Sequence, residues 1–375
     1  MEFPPTDGAL AARIAAIDPV AYGRTRNRVD GAVTGLSPYL THGFITLPVL
    51  VAGLRARFPA DRLGPLEEQL AWREFFRHVW RHRGTAIVKD LGPPPWPGSY
   101  AEEIPGDVRR GATGVPVIDA AVRELLLAGW LHNHARLWLA SYLVHVRKVR
   151  WRAGADWMLG HLLDGDLASN HLSWQWVAGT FATKPYVFNA ENVARFAPAL
   201  ASVGTVIDAD YPSLDVRART LPDAGPEPGT HEGIEEPPLL AHAPGIAHSA
   251  VPPLFRPGET VALVHPWCLR APPAAERALA VFHAPFHERY RWSGARFAFV
   301  TARMRELAGE PWFGDVRALV RMNRGARFVT HATRETGYAK LGEEPNVTAL
   351  PEGRFLPDPD EPCGSFSAFR RRAGI

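Results

Sequence analysis

The chain is poor in cysteine, in long apolar runs and in net charge. Only Cys268 and Cys363 occur in 375 residues, far apart and without C-x-x-C spacing. Two thiols fall short of the roughly four ligands that zinc or an iron–sulfur cluster takes, so no metal is expected. Sparse cysteine suits a reducing compartment, and a cytoplasmic location is expected. Although 46% of residues are hydrophobic, no stretch approaches the ~20 uncharged apolar residues of a membrane span. Glu2 with no apolar run behind it argues against a secretory leader. Neither a G-x-G-x-x-G turn nor a Ser/His/Asp set stands out. The formal charge is only +3; residues 1–205 hold 22 Lys+Arg against 18 Asp+Glu, and the remainder 20 against 21. So slight a basic bias serves a polyanion only if the cations cluster on one face.

Tryptophan, by contrast, is concentrated: nine of the twelve lie in residues 1–205. Indoles in a helical domain are usually core, yet so many together also fit a π-cofactor, and both readings stand. Apolar positions at three- and four-residue spacing predict helices over 44–57, 64–83, 115–128, 132–148, 155–163 and 167–181. Gly and Pro make 91–98 a surface loop, and Pro116 suits the first turn of a helix. From 259 the pattern turns α/β, with strands at 260–265, 278–282 and 326–331 and helices at 295–307 and 315–322. The expected fold is mainly α. A helical domain spans 1–205, a Pro/Gly-rich linker 206–258, a small α/β domain 259–340 and an irregular tail 341–375.

Residues 163–176 read LDGDLASNHLSWQW. Asp166 is a sound N-cap, and Asn170 and Trp174 follow at i+4 steps, so a carboxylate, an amide and an indole share one helical face. Trp176 lies ~200° round the helix from Trp174. Taken alone, this is equally a capped helix with core tryptophans.

The segment resembles the D-G-D-L-A-x-N-x-x-x-W-x-W signature of the photolyase/cryptochrome family. Residues 129–136 (GWLHNHAR) are similar to its G-W-[IML]-H-N-R-x-R block, and 113–121 (TGVPVIDAA) to T-G-x-P-x-V-D-A-A. Residues 69–76 (QLAWREFF) resemble E-L-x-W-R-E-F-[YF], and 36–40 (LSPYL) the L-S-P-Y-[LI] phosphate turn. These blocks keep family order over about 20–198.

The resemblance implies a helical FAD-binding domain and a light-driven flavoprotein that repairs pyrimidine photoproducts in DNA, met single-stranded or as a flipped-out lesion. A cryptochrome-like blue-light sensor is the alternative, and Asn170, where plant cryptochromes carry Asp, favours repair. The resemblance places Tyr22, Thr34, Gly35, Leu36 and Ser37 along the ribose and pyrophosphate of FAD. Arg73, Asn133 and Gly165 complete the lining. Arg136 and Asp164 form an ion pair beside the isoalloxazine, Asp166 accepts from its pyrimidine edge, and Asn170 sits at N5. An indole relay runs through Trp174 and Trp151 to Trp96, with Tyr100 as substitute for the last. Gln69, Trp72, Asn133 and Trp176 receive the lesion. Arg26, Arg147, Lys148, Arg150 and Arg152 are phosphate contacts or an ordinary solvated face. A monomer is expected.

The chain also departs from the pattern. Gln69 replaces the glutamate of cyclobutane-dimer photolyases, His134 and Leu137 replace Arg and Met, and Val33 and Gly35 replace Thr and Arg. The family's N-terminal α/β antenna domain is expected to be missing, and its helical tail cut short after Asn189. Residues 260–267 and 278–283 are similar to the antenna domain's first two strands, as if permuted.

Overall fold

A computed structural model describes residues 1–220, 232–249, 251–335 and 337–374. The chain forms two compact units, each discontinuous in sequence. Met1–Ile17, Thr34–Arg57 and Pro238–Phe355 make one; Asp18–Val33, Phe58–Pro237 and Leu356–Ile375 make the other. Residues 1–17 and 34–57, grouped by sequence with the helical domain, thus cluster with the α/β segment, and residues of the C-terminal tail cluster with the helices.

The second unit is helical because its apolar residues recur at helical spacing, and several of its helix starts are capped. Its principal helices are Ala60–Arg83, Pro116–Ala128, Asn133–Ser141, Trp151–His161 and Leu167–Ala178. Pro116 opens its helix and Gly129 closes it in the left-handed conformation, at φ 62°. Asp166, Asn189 and Asp210 each accept a backbone N–H at the start of a helix. Trp138, Leu139, Tyr142, Leu143, Val122 and Leu125 are fully buried at the centre.

The helix expected over 132–148 is interrupted. Its regular part ends at Ser141, Tyr142–Val146 forms a wider π-helical turn, and Lys148 is left-handed at φ 50°. The Lys148 ammonium donates to the carbonyls of Arg217 and Ala218, which ties down this break. Those carbonyls belong to a helix, Tyr211–Arg219, inside the segment expected to be linker. Residues 221–231 and 250 of that segment lie outside the described residues.

The first unit contains a five-stranded parallel sheet. Its spatial order is Trp312–Gly314, Arg277–His283, Thr260–Val264, Arg327–His331, Val347–Leu350. Nearly continuous apolar runs in the central strands suit a parallel sheet covered on both faces. The three central strands match expectation. The two edge strands, of three and four residues, escape a pattern search because they are too short to show a period. Among the described residues, no helix is long and apolar enough to cross a membrane.

Candidate active site

Asp166 organises the helical unit's most polar interior. One oxygen accepts the Ser169 N–H at 2.8 Å, and the other faces Arg73 Nη2 at 3.2 Å. Burial pushes its pKa up, but Arg73, Arg77 and the Ser169 hydrogen bonds outweigh that and hold it below the usual carboxylate range. A buried acceptor is thus kept ionised. Beside it in sequence, Asp164 pairs with Arg136 at 2.7 Å, and Arg136 Nε also donates to the Leu131 carbonyl. Asn170, one turn after Asp166, donates its amide to the Ala155 carbonyl at 2.8 Å, which fixes the amide plane.

Trp174 is 3% exposed and rests on Gly154. A Cβ on Gly154 would overlap Cη2 and Cζ3 of the indole and lie 3.3 Å from Cε3. Trp151 meets the neighbouring helix in turn, edge-on to His171 with centroids 6.0 Å apart. Trp174 and Trp151 are therefore held across one pair of helices. Trp96 is buried, edge-on to Tyr100 at 4.9 Å, with Lys148 Nζ 5.2 Å from its ring centroid.

Gln69, Trp72, Arg73 and Phe76 are all partly buried, as one shared helical face requires. One side of the Trp72 indole is already covered: Phe366 of the Phe366–Ala373 helix stacks on it at 4.0 Å and 17°. Trp176 is 37% exposed beside Tyr186. Asn133 is exposed at the start of its helix, and Gly165 is buried between Asp164 and Asp166. Tyr22 is partly buried, which raises its pKa despite nearby Arg26. The Arg26 carbonyl is hydrogen-bonded to His132 Nε2 at 2.9 Å. His134 is packed on His132 and Phe196, and burial lowers its pKa to about 4, so it is neutral at pH 7.

Thr34, Gly35, Leu36 and Ser37 belong to the other unit. Gly35 is left-handed at φ 61°, and the space a side chain would need holds the Arg13 guanidinium. Arg13 thus puts a cation beside the position where the family pattern has its own arginine.

The expected phosphate contacts are mostly committed elsewhere. Arg147 pairs with Asp107 at 2.7 Å, Arg150 with Glu102 at 3.3 Å and Arg152 with Asp156 at 2.7 Å, while Lys148 is 4% exposed. Sequence reasoning passed over Asp90, which accepts from Trp151 Nε1 at 2.5 Å. Its loop is fastened by fully buried Gln175, which bonds the Leu91 N–H and the Ile87 carbonyl. A lone aspartate in a Pro/Gly loop carries no periodic signal, so it could be found only in three dimensions.

The donor set around Asp166 — an ionised acceptor, a guanidinium, an ion pair and a neutral amide — suits the polar edge of a flavin. Residues 66–215 match the family model described as the FAD binding domain of DNA photolyase. A deoxyribodipyrimidine photo-lyase of Streptomyces griseus is 43% identical over 152 residues, 40% of this chain and 32% of that protein. One from Agrobacterium fabrum is 33% identical over 194 residues, 45% of this chain and 39% of that protein. Among solved structures, a Synechocystis cryptochrome superposes with a TM-score of 0.47 at 28% identity, covering 53% of this chain and 44% of that one. The chain thus spans less than half the length of these relatives.

Proposed function

We propose, on the match of residues 66–215 to the family model of the FAD binding domain of DNA photolyase, that this chain holds FAD against the Asp166 helix and uses blue light to split pyrimidine dimers in DNA. The observation that carries the reading is the buried, ionised Asp166 on one helical face with Asn170 and Trp174, backed by Arg73. Bound and reduced, FAD supplies the electron that opens the dimer and recovers it afterwards.

The chain's own residues orient and protect that chemistry. Asp166 accepts hydrogen bonds from the cofactor, and Arg73 stops the buried carboxyl from taking up a proton instead. Asn170 offers a neutral amide, which tolerates an anionic cofactor where a carboxylate would repel it. That residue favours repair over signalling. Trp174 and Trp151 carry electrons to the cofactor when it must be reduced. Gln69 and Asn133 offer hydrogen bonds to the pyrimidines, and the exposed ring of Trp176 offers stacking of about 1–3 kcal/mol per base.

Arg147 and Arg152 are paired with Asp107 and Asp156, and Arg150 shares the surface with Glu102; so thin a free cationic face supports a preference for single-stranded or frayed DNA. The test is to reconstitute purified protein with FAD, photoreduce it and illuminate oligo(dT) carrying cyclobutane dimers, alone and in duplex. Dimers should disappear, faster from the single strand. Intact dimers would overturn repair; protein that stays colourless would overturn the cofactor assignment.

A further inference from the structure

We infer that the electron route of this chain ends at Trp151, and that Asp90 takes the indole proton when Trp151 is oxidised. The inference rests on the proposed flavin reading. Trp151 Nε1 donates to Asp90 Oδ1 at 2.5 Å, so donor and acceptor are in place before any light arrives. The other Asp90 oxygen faces Arg150 at 3.8 Å, and Arg150 is shared with Glu102. The carboxylate therefore has one strong partner, the indole. A one-electron-oxidised indole is a strong acid at N–H, and a carboxylate within hydrogen-bond reach is its natural base.

Trp96 offers the opposite environment. The Lys148 ammonium lies over its ring, and a cation there favours the neutral, electron-rich indole and opposes a positive hole. Lys148 cannot swing away, because it is buried and donates to the carbonyls of Arg217 and Ala218. Burial lowers its pKa to about 8, which still leaves it charged at pH 7. Trp96 therefore anchors the loop, and the hole stops one indole earlier.

Access completes the case. A cleft of about 340 Å³ has Trp151, Asp90, Tyr100, Arg150 and Thr180 in its walls. A small thiolate entering it reaches Trp151 without passing through Trp96. In balance, Trp174 loses one electron to light-excited FAD and regains it from Trp151. Trp151 passes its Nε1 proton to Asp90 and becomes a neutral radical. One electron from the thiolate, which leaves as a thiyl radical, and the proton returned by Asp90 restore both residues.

Flash spectroscopy on FAD-loaded protein tests this, because cationic and neutral tryptophanyl radicals absorb differently. The native chain should end in the neutral radical. Trp151→Phe should remove it, Trp96→Phe should leave its yield unchanged, and Asp90→Asn should slow deprotonation by about a hundredfold or more. A second readout needs no FAD: in NMR spectra of the apoprotein, Asp90→Asn should move the Trp151 indole N–H resonance and leave the other indoles in place. The inference is overturned if Trp96→Phe abolishes the long-lived radical, if Asp90→Asn deprotonates at the native rate, or if that resonance does not move. Protein that binds FAD and forms no long-lived radical sinks this inference alone. Protein that binds no FAD sinks the flavin reading, and this inference with it.

Discussion

Replacing Gly154 with alanine sets two effects of known size against each other. Glycine inside a helix costs about 0.5–1 kcal/mol relative to alanine, so by propensity alone the change stabilises Trp151–His161. The new methyl, however, lands on the six-membered ring of Trp174, which is 3% exposed. The ring must move by about 1 Å to restore van der Waals contact, and overpacking a closed core costs roughly 1–3 kcal/mol. Overpacking wins, by about 1 kcal/mol, which in a unit of this size lowers Tm by about 2–4 °C. Gly53→Ala is the control, since it lies in the Leu47–Arg57 helix with nothing within 4 Å of the added carbon. It should stabilise by about 0.5–1 kcal/mol. Thermal unfolding of both variants decides the matter, with near-ultraviolet circular dichroism to report on the indole. If Gly154→Ala melts at or above the native temperature while Gly53→Ala behaves as stated, Trp174 does not rest on Gly154.

Arg136→Ala removes the ion pair that Arg136 makes with buried Asp164 and should destabilise by up to about 3 kcal/mol in urea titration, the low end for a broken buried pair because a quarter of the Arg136 side chain is exposed. His145, 2% exposed, has its pKa lowered by burial from 6.5 to about 4. The unfolded chain therefore takes up a proton there below pH 6.5 and the folded chain does not, so His145 costs nothing above pH 6.5 and progressively destabilises as pH falls toward 4. The loss reaches ~3 kcal/mol, and His145→Gln should flatten the slope of stability against pH in that window whatever it does to stability at pH 7. An unchanged slope would show that His145 is not the group responsible.

The Asp166 face was legible because helix geometry converts i+4 spacing into adjacency without help from the rest of the chain. The same is true of the Pro116 start and of the central strands, whose apolar runs are long enough to show a pattern. What the sequence hid depends on contacts between distant residues. Residues 34–57 join the α/β unit through bonds such as His42 Nδ1 to the Pro266 carbonyl at 2.6 Å and the Leu269 N–H to the His42 carbonyl. No local pattern encodes those. Basic residues readable as phosphate contacts or as a solvated face have carboxylate partners, Asp107 for Arg147 and Asp156 for Arg152, because a charge is assigned to solvent or to a partner only once the chain is folded. The π-helical turn at Tyr142–Val146 is equally invisible, since its mostly apolar residues read as the continuation of one helix.

An aromatic ring has two faces, and the chain has already spent one of Trp72's on Phe366. A visiting base can sandwich that indole only from the remaining side. The short helix that bears Phe366 is therefore part of the backing of the proposed lesion pocket, however remote it looks in the sequence. A dye, tag or crosslink attached within 366–373 will change the fluorescence of Trp72 before any DNA is added.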